Sequence, residues 1–190
     1  EWEVENRYQL DDGRWVRAGT AHNQVFSILG GKALLELWDG RMGERELVGF
    51  SVRYYDSETE VWRLVLNWPQ SGSASFFELD GAFRHGRGEF FREFEDSTGA
   101  EVYVRYTFSD IAPERFRWDQ AFSRDQRRSW RTRWVMEFSR TARDATLPEP
   151  GESVLTYTDG SRCRGPEARQ FDRLVGEWRG TATRPGRPAG

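Results

Sequence analysis

Cysteine is nearly missing from this 190-residue chain: Cys163 stands alone, which excludes a disulfide framework and a thiolate metal site. Histidine is confined to His22 and His85, and no nucleophile elbow accompanies either one, so a hydrolytic triad is not supported. Lysine occurs once, at Lys32, among 28 basic residues. Neither charge dominates: the formal net charge is −3 and the sequence pI about 5.6, which gives no reason to expect a nucleic-acid partner. No apolar run reaches membrane-spanning length and no signal peptide is visible, so the expectation is a soluble, cytoplasmic protein without a membrane span. Residues 1–143 also lack any convincing amphipathic helix.

What the chain does have is aromatic side chains, 15% of the total with nine tryptophans, which argues against disorder despite a mean hydropathy of −0.81. Alternating strands reconcile the two values, because half of each strand is solvated. The clearest case is 115–140. Its first arm places Phe116, Trp118, Gln120 and Phe122 on one face; its second places Trp130, Thr132, Trp134, Met136 and Phe138 on one face. A polar loop, 123–129, joins them.

The same period-two pattern recurs along the chain. Residues 2–10 alternate under an acidic outer face, and Asp11-Asp12-Gly13 makes a hairpin turn. Residues 14–29 form a long extended segment with a bulge or bend at Gly19, one face carrying Val16, Ala18, Thr20, His22, Gln24, Phe26 and Ile28. Further strands fall at 33–38, at 47–55 with Phe50, Val52 and Tyr54 on one side, and at 61–68. A flexible link at 71–75 precedes strands at 76–84, 87–96 and 102–108. About ten short strands joined by tight turns predict an all-β, antiparallel up-and-down β-barrel over 1–143, with a two-sheet sandwich as the alternative.

After residue 143 the composition shifts. Residues 144–165, with Pro148, Pro150 and Gly151, read as a linker. Residues 166–190 open with a short helix stopped by Gly176, and Glu177-Trp178 repeats the Glu1-Trp2 at the start. Two readings stand: the start of a second, similar barrel, or a helix capping the first.

Several segments carry a family resemblance: VRYTFSDIAP at 104–113, WDQAFS at 118–123, WVMEFS at 134–139, ILGGKALLE at 28–36 and GFSVRYYD at 49–56. In order and spacing these resemble the DUF1579 family, bacterial proteins of calycin-like β-barrel type, mostly without assigned function. FDRLVGEW at 171–178 is similar to the usual start of such a domain. The lipocalin analogy implies that Trp2 packs at the closed end beneath Arg140, a cation over an aromatic face. The haem-binding calycins it resembles (nitrobindins) use a histidine near the end of the barrel; here none follows His85, so no cofactor is expected.

With every apolar strand face turned inward, the interior acquires polar groups: Asn6, Tyr8, Thr20, His22 and Gln24 first, then Tyr54, Arg92, Tyr106, Gln120 and Thr132. Unpartnered buried polar groups cost about 1–3 kcal/mol each, so this many point to a ligand cavity or to mutual pairing. No carboxylate falls inward in this assignment, and an inward Arg92 between Phe90 and Phe94 therefore favours an acidic ligand; the alternative is a bulge that turns Arg92 outward. The expected function is binding of a small apolar or amphipathic ligand, its anionic group near Arg92, with His22, Tyr54, Trp118, Gln120, Trp130, Thr132 and Trp134 completing the site. No metal and no catalytic residue is assigned. The alternatives are an enzyme on the same barrel using His22 or Tyr54 as proton-transfer group, and a structural module with a filled interior. Beyond the ligand, a partner could be a second barrel of the same chain or a homodimer.

Overall fold

The computed structural model describes residues 1–69 and 76–143, and over them the expected all-β fold is present. Ten strands follow in order: β1 (Trp2–Gln9), β2 (Trp15–Ile28), β3 (Ala33–Met42), β4 (Arg45–Asp56), β5 (Val61–Asn67), β6 (Phe77–Arg84), β7 (Arg87–Glu95), β8 (Glu101–Ala112), β9 (Arg115–Ser123) and β10 (Arg131–Arg140). Each pairs antiparallel with its neighbour in sequence, and β1 pairs with β10 from Trp2↔Arg140 to Tyr8↔Trp134. The sheet therefore closes on itself and leaves no open edge, which excludes a sandwich. The link at 71–75, the linker at 144–165 and the helix or second barrel at 166–190 lie outside the described residues.

Three bulges decide which side chains point inward. Opposite Asn6 and Arg7, β2 carries one extra residue: Tyr8 pairs with Val16 and Arg7 with Arg17, but Asn6 pairs with Gly19. Gly19 has φ +125, a conformation that side-chain-bearing residues rarely adopt, and a Cβ there would lie 3.1 Å from the Arg41 carbonyl oxygen. Before it the even-numbered Val16 shares the inner face with Tyr8. After it the odd-numbered Ala21, Asn23 and Val25 do. A second bulge, between Thr132 and Trp134, puts Trp134 opposite Gln120 on the inner face and Thr132 opposite Ala121 on the outer one. A third lies between Ser109 and Ala112, where Asp110 has φ +52.

Tryptophan and phenylalanine fill most of the interior. Trp134 makes edge-on or tilted contacts with Trp38, Trp68 and Trp118 at ring-centroid distances of 6.3, 5.8 and 5.3 Å. Gly49 makes room for this group, since a Cβ on it would sit 2.3 Å from the Trp68 ring. Towards the end of the barrel where β1 begins, Phe116 stacks on Phe138 at 4.1 Å and meets Trp2 edge-on at 4.8 Å. The Arg140 guanidinium lies 4.0 Å from the Trp2 ring centre and its Nε donates to the Pro113 carbonyl at 2.5 Å. This is the arrangement the lipocalin analogy implied.

Candidate functional site

Of the residues the sequence pointed to, Arg92, Trp118, Gln120 and Trp134 face the interior. Arg92 sits on β7 in register with Val104 of β8, and its guanidinium lies 4.0 Å from the Phe77 ring centre and 5.6 Å from that of Phe94. Among the described residues it has neither a carboxylate partner nor a hydrogen bond. Gln120 donates to the Tyr106 hydroxyl at 3.3 Å, and the Trp134 indole N–H donates to Asn6 Oδ1 at 3.1 Å. Burial pushes the Tyr106 hydroxyl well above the usual tyrosine range, against the opposing pull of the Gln120 hydrogen bond and the Arg92 charge.

The other four residues lie elsewhere. His22 follows the Gly19 bulge and so faces outward, its Nε2 3.5 Å from a Glu1 carboxylate oxygen. Thr20 and Gln24 go with it. Thr132 and Trp130 lie before the β10 bulge: Thr132 shares the outer face with Ala121, and Trp130 packs outside the barrel, 6.1 Å from the Phe91 ring and 4.7 Å from the Arg105 guanidinium. Tyr54 is exposed on the outer face of β4. No bulge is responsible there. On β4 it is the polar face, Ser51 and Arg53, that turns inward, while Val52 and Tyr54 turn outward, so hydrophobicity alone chose the wrong side.

That inversion brings in a polar group the sequence reading missed. Pairings Glu36↔Ser51, Leu34↔Arg53 and Val25↔Glu36 place Glu36, Ser51 and Arg53 on the inner face. Glu36 and Arg53 form an ion pair with side chains only 15% and 18% exposed. Ser51 Oγ donates to Glu36 Oε2 at 2.6 Å, and Asn23 Nδ2 donates to Glu36 Oε1 at 3.0 Å. Burial is the largest influence on Glu36 and raises its pKa. The Arg53 charge and the hydrogen bonds from Ser51, Arg53 and Asn23 together outweigh it, so the carboxyl lies below its ordinary range. The interior does contain a carboxylate, contrary to the expectation, but Arg53 neutralises it and Arg92 is left over. One signal for Glu36 was available: it is two residues from Trp38, so an inward Trp38 requires an inward Glu36.

A cavity of about 40 Å³ lies against this group, lined by Glu36, Ser51 and Arg53 together with Trp38, Trp68 and Trp118 among others. It is far smaller than the roughly 300–1,000 Å³ typical of sites for drug-sized ligands. Three interior polar atoms have no partner, Asn6 Nδ2, Asn23 Oδ1 and Trp38 Nε1, and of these residues Trp38 lines the cavity. Each such buried atom costs about 1–3 kcal/mol if left unsatisfied. Among the described residues no cluster of His, Cys, Asp and Glu could hold a metal ion, and no helix is long and apolar enough to cross a membrane.

No family model matches the chain, and no curated protein does. Among solved structures it is similar to one described as "Structure of EF1p2_mFAP2b bound to DFHBI", over 73% of this chain and 90% of that one, with 12% sequence identity and a TM-score of 0.35.

Proposed function

We propose that this barrel binds a small carboxylic acid of apolar or amphipathic character, with the carboxylate on Arg92. The observation that carries the reading is a charge count. On the inner face Arg53 and Glu36 neutralise each other. Arg140, level with Trp2, donates to the Pro113 carbonyl and lies 3.8 Å from Glu114, and Arg131, level with Phe122, donates to Gln9. Arg92, in contrast, rests on Phe77 and Phe94 with no acceptor among the described residues. A guanidinium has five N–H donors, and ring faces satisfy none of them as well as an anion does. The cavity of about 40 Å³, which Arg92 does not line, restricts the ligand to a short chain or a single ring whose entry shifts interior side chains; a tetrapyrrole would displace the whole Trp68–Trp134 cluster. The resemblance to DUF1579 belongs to the same proposal and brings a fold without an activity.

An enzymatic reading built on His22 or Tyr54 loses its support, since both side chains lie outside the barrel. Isothermal calorimetry with benzoate, 3-phenylpropionate and hexanoate tests the binding reading. Wild-type protein should bind at least one of them saturably at a single site. Arg92→Gln should weaken that binding by about tenfold to a hundredfold, the equivalent of a charge-assisted hydrogen bond of roughly 1.5–3 kcal/mol, and should leave the matching amide unaffected. No heat from any acid, or equal affinity in the variant, would favour the filled structural module instead.

A further inference from the structure

Trp38 borders the cavity, is 97% buried, and its indole N–H has no acceptor. Its register partner on β2 is Asn23, which is fully buried. The hydrogen bond from Asn23 Nδ2 to Glu36 fixes the orientation of that amide and leaves Oδ1 without a donor. Glu36 itself is fully engaged, receiving Asn23 on one oxygen and Ser51 and Arg53 on the other, so it offers no free carboxylate to a cation. Trp38 borders the cavity and Asn23 is level with it on the next strand, so the barrel holds on adjacent strands one donor lacking an acceptor and one acceptor lacking a donor. A hydroxyl group supplies both, giving one proton and accepting another. An ammonium could not accept from Trp38, and a carboxylate could not donate to Asn23.

We propose that Trp38 and Asn23 form a second polar subsite that takes a ligand hydroxyl, which makes a hydroxylated carboxylic acid the preferred ligand class. This rests on the assignment of the carboxylate to Arg92. The direction of the preference is diagnostic, because a hydroxyl is better hydrated than hydrogen and weakens binding to a purely apolar pocket.

The test uses matched pairs in calorimetry: benzoate against 4-hydroxybenzoate, 3-phenylpropionate against its 4-hydroxyphenyl analogue, and hexanoate against 6-hydroxyhexanoate. On wild-type protein the hydroxy acid of at least one pair should bind about tenfold tighter, and its methyl ether, which cannot donate, should lose that advantage. Trp38→Phe should abolish the preference of the hydroxy acid over its plain partner. The methyl-ether comparison needs no variant and holds even if Trp38→Phe fails to fold. Plain acids binding as well as or better than their hydroxy partners throughout would overturn the subsite and leave the Arg92 assignment standing. No binding of either member of any pair would overturn both.

Discussion

Glu36 stays ionised inside the barrel because three neighbours hold its two oxygens, and that makes Arg53 a residue the fold depends on. Arg53→Met should destabilise the protein by about 3–5 kcal/mol, read from urea midpoints, because it strands a buried carboxylate; Glu36→Gln combined with Arg53→Met should recover much of that loss. Full loss in the double variant would mean that Arg53 acts through its packing on Phe108, 5.3 Å away, rather than through the pair. The pH dependence follows from the same geometry. The folded-state pKa of Glu36 lies below its ordinary value of 4.5, so its contribution to stability is complete above that value and is lost as the pH falls through the folded pKa. Glu36→Gln should flatten the acid limb of the stability curve. At this scale Arg92 was legible from its place between two phenylalanines, whereas Glu36 was hidden in a strand, residues 33–38, that is apolar on both faces.

Strands, by contrast, could be read almost completely from alternation and turn residues, and all ten were. What alternation could not supply was phase across a bulge. Gly19 was recognisable as an irregularity, yet one inserted residue reverses every later side chain of β2, which is why His22, Thr20 and Gln24 were expected inside and lie outside. The β10 bulge does the same to Trp130 and Thr132. The close approach at Gly49 is testable at this scale: Gly49→Ala drives a Cβ into the Trp68 ring and should cost about 1–3 kcal/mol with a change in tryptophan emission. An unchanged midpoint and spectrum would place Trp68 elsewhere. The loop between β9 and β10 has its own control. Asp125 accepts from the Ser129 hydroxyl at 2.6 Å, the Ser129 amide at 2.9 Å and the Ser123 hydroxyl at 2.7 Å, and these bonds hold its carboxyl down to about 2. Because that folded value is depressed, the loop should keep its order above the unfolded value of 3.8 and loosen as the pH falls toward 2. Carbon-detected titration of Asp125 with a midpoint near 4 would contradict these contacts.

For the barrel as a whole, closure between β1 and β10 is what turns ten marginal strands into an enclosed interior, and Arg140 over Trp2 sits at that seam. Arg140→Ala should cost about 0.5–2 kcal/mol through loss of the cation–aromatic contact, seen as a lower denaturant midpoint without loss of strand content. The central claim, that a small acid occupies this interior, can be followed with the tryptophans themselves, because they divide into two sets. Trp38, Trp118 and Trp134 line the inside, while Trp15 is exposed and Trp130 lies on the outer surface. Titrating 4-hydroxybenzoate into ¹⁵N-labelled protein and following the indole N–H signals should shift Trp38, Trp118 and Trp134 together along one binding curve, leaving Trp15 and Trp130 in place. Shifts confined to Trp15 and Trp130, or no shift in any interior indole for this or any other acid of the series, would contradict it.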